Sequence, residues 1–238
     1  MNYITFNGVA SYDKGLIISG EGAFNGAELD ETTQAIPGRN GSVSFWNGRW
    51  KNVEARYPAL IVGDLAATAP AVRSWLLAQP GFLRLSDSYN PEEFRRARYI
   101  GGLDITPGFL NGNGEVELRF DCWAQRFLVS GETPQTIAAS GDTLTNPTEF
   151  DALPEIVVVG SGDITMAVGG YVLQLTGLSG SVTIDCDAET AYDGGTNLNS
   201  ILTLAQGFPK LGPGSNTITW SGTGSVTSVT ITPRWWRL

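Results

Sequence analysis

Asp185, Asp187 and Glu189 alternate along the sequence. Alternate side chains on a β-strand share a face, so this spacing would set three carboxylates side by side, a donor set that can hold calcium. The glycine and further oxygen ligands of a recognised calcium loop are missing. An exposed acidic edge that discourages strand-to-strand association is therefore the favoured reading. Trp220 and the pair Trp235-Trp236 offer aromatic faces on which a sugar ring could stack. Against that, aromatic residues at a chain end commonly pin it; Trp236 and Leu238 would then pack under the fold while Arg234 and Arg237 stay in water. Cys122 and Cys186 lie far apart, outside any CxxC pattern, and read as two reduced, buried thiols.

The sequence contains no histidine. A Ser-His-Asp triad, a Cys-His pair and the usual zinc sites cannot be built without one. Paired carboxylates would still serve a glycosidase. The Gly-rich stretch Val159-Gly160-Ser161-Gly162 carries no lysine and precedes no helix, so it is no phosphate loop. The expectation is a protein that is not an enzyme, with no catalytic residue, cofactor or metal ligand.

The most specific local pattern is Ile36-Pro37-Gly38-Arg39-Asn40-Gly41. Pro37 fixes φ ahead of the turn, and Gly38 and Gly41 can take positive φ. Arg39 then projects from a rigid loop, either solvated or paired with a carboxylate of a neighbouring subunit.

The elements around these residues are mainly β. Thirty glycines, with many Thr, Val and Ser, describe short strands joined by tight turns. In the first half, strands are expected at Tyr3–Phe6, Leu16–Ser19, Ser42–Trp46, Ala55–Val62, Phe82–Asp87 and Phe94–Leu103. Asn47-Gly48 suits a type I′ hairpin turn. Residues 114–123 alternate Val116, Leu118, Phe120 and Cys122 against Glu115, Glu117, Arg119 and Asp121, the cleanest strand signal in the chain. One helix is expected, capped by Thr68, with Pro70 in its first turn, Val72, Trp75, Leu76 and Gln79 on one stripe, and Pro80-Gly81 as its stop.

Residues 131–152, rich in Ser, Thr, Gly, Pro and Ala, read as a junction between domains at 1–130 and 153–238. About seven strands follow, at Glu155–Val159, Asp163–Val168, Tyr171–Leu175, Val182–Cys186, Thr217–Ser221 and Val226–Thr232, with Asn199–Ala205 a short helical turn or strand; this describes a small sandwich or jelly roll. Charge divides the same way. Residues 1–130 hold 12 Lys+Arg against 14 Asp+Glu, whereas residues 131–238 hold 3 against 10. The acidic half would repel a phosphate backbone. No apolar run approaches the length of a spanning helix, and the first residues lack a basic start and apolar segment, so synthesis in the cytoplasm is expected.

Several segments in shared order resemble the distal tail protein (Dit) family of siphoviruses. They are Phe6-Asn7-Gly8-Val9 through Gly15-Leu16-Ile17-Ile18, Ile36 to Gly41 with Asn47-Gly48, Val72…Trp75-Leu76, Leu83…Leu85-Ser86-Asp87, Phe94-Arg95…Ala97 and Phe120…Cys122. In the second half, Leu153-Pro154-Glu155-Ile156, Thr183-Ile184-Asp185 and Gly207-Phe208-Pro209-Lys210-Leu211 through Asn216-Thr217-Ile218 continue the likeness. The resemblance implies an N-terminal β-barrel or sandwich-like domain with one helix and a C-terminal galectin-like β-sandwich. It implies a virion structural protein: a homohexameric ring at the tail tip of a long non-contractile tail. The tail tube protein would lie above the ring and the tail-associated or baseplate hub protein below. A receptor-binding protein could attach to the sandwich, and DNA would pass through the ring without specific binding. Two other classes stand beside it, a carbohydrate-binding module using Trp220 or Trp235 and a carboxylate glycosidase.

Overall fold

The computed structural model describes residues 1–19, 23–108 and 113–238. The chain divides into two compact units, Met1–Arg126 with Leu238, and Phe127–Arg237.

The first unit is ordered β1 (Ile4–Phe6), β2 (Val9–Ala10), β3 (Leu16–Ile18), β4 (Leu29–Ala35), β5 (Ser42–Trp50), β6 (Val53–Ile61), α1 (Leu65–Leu77), β7 (Leu83–Asp87), β8 (Glu93–Tyr99), β9 (Thr106–Pro107) and β10 (Gly114–Leu128). Its main sheet runs β2-β1-β7-β8-β10-β6-β3, with β9 also paired to β10. The Ile18 amide donates to the Asn2 carbonyl at 3.3 Å, so the two ends of the path curl toward each other. The alternation along β10 decides its faces: Val116, Leu118, Phe120 and Cys122 are buried, while Glu115, Glu117 and Arg119 face solvent. Phe6, Tyr57, Leu85, Ala97 and Phe120 form the core with Val72 and Leu76 of α1, and the Trp75 indole donates to the Phe6 carbonyl at 3.2 Å.

Two local expectations are corrected. The α1 helix starts at Leu65, with the Asp64 carboxylate accepting from the amides of Ala66 and Ala67, so Thr68 is not its cap and Pro70 lies inside the helix. Asp is as good a cap as Thr, and Leu65-Ala66-Ala67 are strong helix formers. Asn47-Gly48 does not turn a hairpin. It sits within β5, where Leu29 pairs with Trp50 and Glu31 with Trp46, so three residues of β5 face one of β4. Gly48 takes φ of 77° there, as a bulge glycine does.

The second unit contains β11 (Gln135–Ile137), β12 (Thr143–Asn146), β13 (Glu155–Val168), β14 (Tyr171–Asp185), β15 (Thr190–Asp193), β16 (Thr196–Asn197), β17 (Leu202–Leu204), β18 (Gly214–Gly222) and β19 (Ser225–Thr232). Four strands expected from the sequence are two long ones. β13 pairs with β19 over Glu155–Ser161, with a register shift between Val159 and Gly160, and then with β18 over Ile164–Val168. β14 pairs with β17 near its start and with β15 near its end. Both strands therefore change hydrogen-bonded neighbours partway along their length. Residues 131–152 are more than a junction, since β11 pairs with β19 and β12 with β18. Ile156, Val158, Met166, Leu173, Leu175, Ile184, Ile218 and Val229 belong to the unit's core.

Candidate interaction surface

The residues singled out in the second unit do not converge on one site. Asp185 ends β14, and its carboxylate takes two hydrogen bonds from Arg234, at 2.7 and 3.0 Å, and one each from the amides of Asp187 and Ala188. Those hydrogen bonds, led by Arg234, pull its pKa down to about 2. Glu189 has φ of 51°. The three acids thus occupy a tight turn instead of one strand face, because Asp185 folds the backbone back onto itself. Among the described residues no group of three or more His, Cys, Asp or Glu is placed to hold a metal. Arg234, expected in water, instead also bonds Glu155 at 3.1 Å.

Trp235 is only 5% exposed and lies in the core, with no face open to a sugar. Trp220 is half-buried against the same core. Trp236 stacks on Phe150 with ring centroids 4.5 Å apart, and its indole donates to the Asp151 carbonyl. Cys122 and Cys186 are free and buried, and burial pushes the Cys186 thiol up to about 12.

The turn in the first unit is different. β4 and β5 form a two-stranded sheet of their own, closed by Ala35↔Ser42, with Ile36 to Gly41 at its tip. Gly38 and Gly41 have φ of 80° and 85°, and the Arg39 amide donates to the Ile36 carbonyl at 3.1 Å. No residue of either strand belongs to the unit's core. Its apolar side chains are open instead: Ile36 is 42%, Phe45 58% and Trp46 57% exposed.

The root of this arm is fixed, by residues the sequence reading did not single out. Arg95 donates to both the carbonyl and side-chain oxygens of Asn25, and Arg126 donates to the carbonyls of Ala23 and Asn25, the latter at 2.6 Å. Arg126 is buried and pairs with buried Glu93 at 3.3 Å. Burial, with Arg95 close by, pulls the Arg126 pKa below the ordinary value, and Glu93 works against that. Above these contacts, Arg49 pairs with Asp30 at 2.6 Å and Lys51 with Glu28 at 3.5 Å. The sequence signal for the root is the charged residues Glu93 and Arg95 on β8 and Arg126 on β10, at inward positions where alternation predicts apolar ones.

Two mainly β units, with a firmly rooted apolar arm standing outside the first core, set the class of protein. Within the second unit, residues 168–235 match the siphovirus-type tail component, C-terminal domain. Across the whole length, the fold is that of the Dit protein of phage SPP1, a paradigm of the hub adsorption apparatus in phages infecting Gram-positive bacteria. That likeness has a TM-score of 0.78 at 15% identity and covers 100% of both chains. Two structures of the phage P2 baseplate in its activated conformation, with Ca and with Sr, also share the fold. Each has a TM-score of 0.51, at 9% and 8% identity, over 97% of this chain and 96% and 97% of theirs. No curated protein sequence matches the chain. The chain thus carries the siphovirus-type tail component domain over residues 168–235 and shares the Dit fold over its whole length.

Proposed function

We propose that this protein is the distal tail protein of a long, non-contractile phage tail. Its first unit would build a homohexameric ring that continues the tail tube and joins it to the tail tip, and its second unit would face outward toward a receptor-binding protein. The role is connection, with no turnover. The observation that carries this reading is the β4–β5 arm. An isolated two-stranded hairpin is marginal in water, and one that exposes Ile36, Phe45 and Trp46 needs a covering surface. A second copy supplies one, and a head-to-tail contact repeated around an axis closes a ring. The Dit-like fold and the tail-component match over residues 168–235 support the same assignment. The tail tube protein and the baseplate or tail-associated hub protein would be its axial partners, in the virion tail tip. A lumen lined by a near-neutral first half would let DNA pass without holding it. Negative-stain imaging of the purified protein tests this: six-fold rings are expected, and uniformly dispersed single copies would contradict it.

A further inference from the structure

The solvent face of the first unit's sheet carries a groove of about 670 Å³ whose chemistry complements the arm's tip. Register builds it. Ile17, Leu60, Glu115 and Thr106 stand opposite one another on β3, β6, β10 and β9, and Pro58 stands opposite Glu117 in the adjoining rank. Directly opposed residues on an antiparallel sheet share a face. The floor is thus apolar, from Ile17, Leu60 and Pro58, while Glu115, Glu117 and Asp104 line it with carboxylates. Among the described residues none of these three acids forms a salt bridge; the neighbouring Arg119 is held by Glu54 at 2.6 Å.

The arm's tip is the converse. Between Thr32 and Gly48 the only charged residue is Arg39, beside exposed Ile36. Arg39 has no ion pair among the described residues, whereas the cations at the arm's root are paired with Asp30 and Glu28. Seven residues of β4 carry the tip roughly 23 Å from the root, at about 3.3 Å per residue. The tip is not among the residues that line its own chain's groove.

We propose that this groove receives the β4–β5 tip of the adjacent copy, with Arg39 among Asp104, Glu115 and Glu117 and Ile36 on the floor made by Ile17, Leu60 and Pro58. The proposal rests on the ring reading and names the surface that closes it. An acidic rim disfavours nucleic acid as the occupant, and a small, singly cationic, apolar tip matches both the floor and the rim.

Charge reversal in the full-length protein tests it. Arg39→Glu and the double variant Glu115→Lys, Glu117→Lys should each weaken self-association about tenfold or more, read by light scattering against concentration. Combining all three substitutions should restore assembly. The positions are exposed, so melting temperatures should stay near wild type. In a parallel measurement, Arg39→Lys treated with a carbodiimide should give intermolecular cross-links from position 39 to Asp104, Glu115 or Glu117. If Arg39→Glu assembles like wild type and the cross-links fall elsewhere, the docking is overturned while the ring stands. If wild-type protein stays monomeric, both are overturned.

Discussion

At the scale of single residues, Arg234 carries more structure than its position near the chain end suggests. It joins Asp185 and Glu155, the ends of two long strands, and it is the chief reason the Asp185 carboxyl is held near 2. A carboxylate whose pKa is lower in the folded state contributes stability that is full above its unfolded value, near 4, and is lost as pH falls through about 2. Arg234→Gln should cost about 1–3 kcal/mol at neutral pH and shift acid unfolding to higher pH. Chemical denaturation at pH 7 and a pH titration followed by circular dichroism would check both. The tip turn makes a separate demand. Gly38 meets no atom within 4 Å of where a Cβ would sit, so Gly38→Val strains only the backbone at φ of 80°. A cost of about 1–3 kcal/mol is expected, with loss of assembly because the tip changes shape. Unchanged melting and unchanged assembly would show that the turn tolerates other geometries.

At the scale of elements, the arm and its root should respond differently to substitution. Phe45→Ser with Trp46→Ser removes apolar surface that is already in water, so stability should change by less than about 1 kcal/mol, while self-association should fail. Arg126→Met removes a partner of buried Glu93 and two hydrogen bonds to the arm's root, so it should destabilise by about 2–4 kcal/mol. Thermal melting and light scattering on both variants separate these effects. The same contrast explains what the sequence disclosed. The β10 alternation was legible because one face is dry. The tip turn was legible because Pro37, Gly38 and Gly41 have few other uses. The β4 strand, Leu-Asp-Glu-Thr-Thr-Gln-Ala, went unrecognised because neither of its faces is buried in its own chain. The long β13 and β14 read as four strands because Gly160 to Gly162 and Gly177 to Gly180 interrupt the apolar pattern without ending the pairing. The buried arginines at the root escaped notice because a charged residue in an alternating strand ordinarily marks the wet face.

At the scale of the whole molecule, the two halves differ in charge. The first is close to neutral and can pack against copies of itself. The second has 10 Asp+Glu against 3 Lys+Arg, and six copies around one axis would repel one another over the screening length of about 8–10 Å. On the ring reading proposed above, that repulsion disfavours the acidic half as the ring-closing part. The direct test is the mass in solution of residues 1–130 alone, beside the full-length protein. The ring account predicts six copies in each case, about 152 kDa for the full chain as six times 25.4 kDa. A folded but monomeric first half, together with rings from residues 131–238 alone, would contradict it.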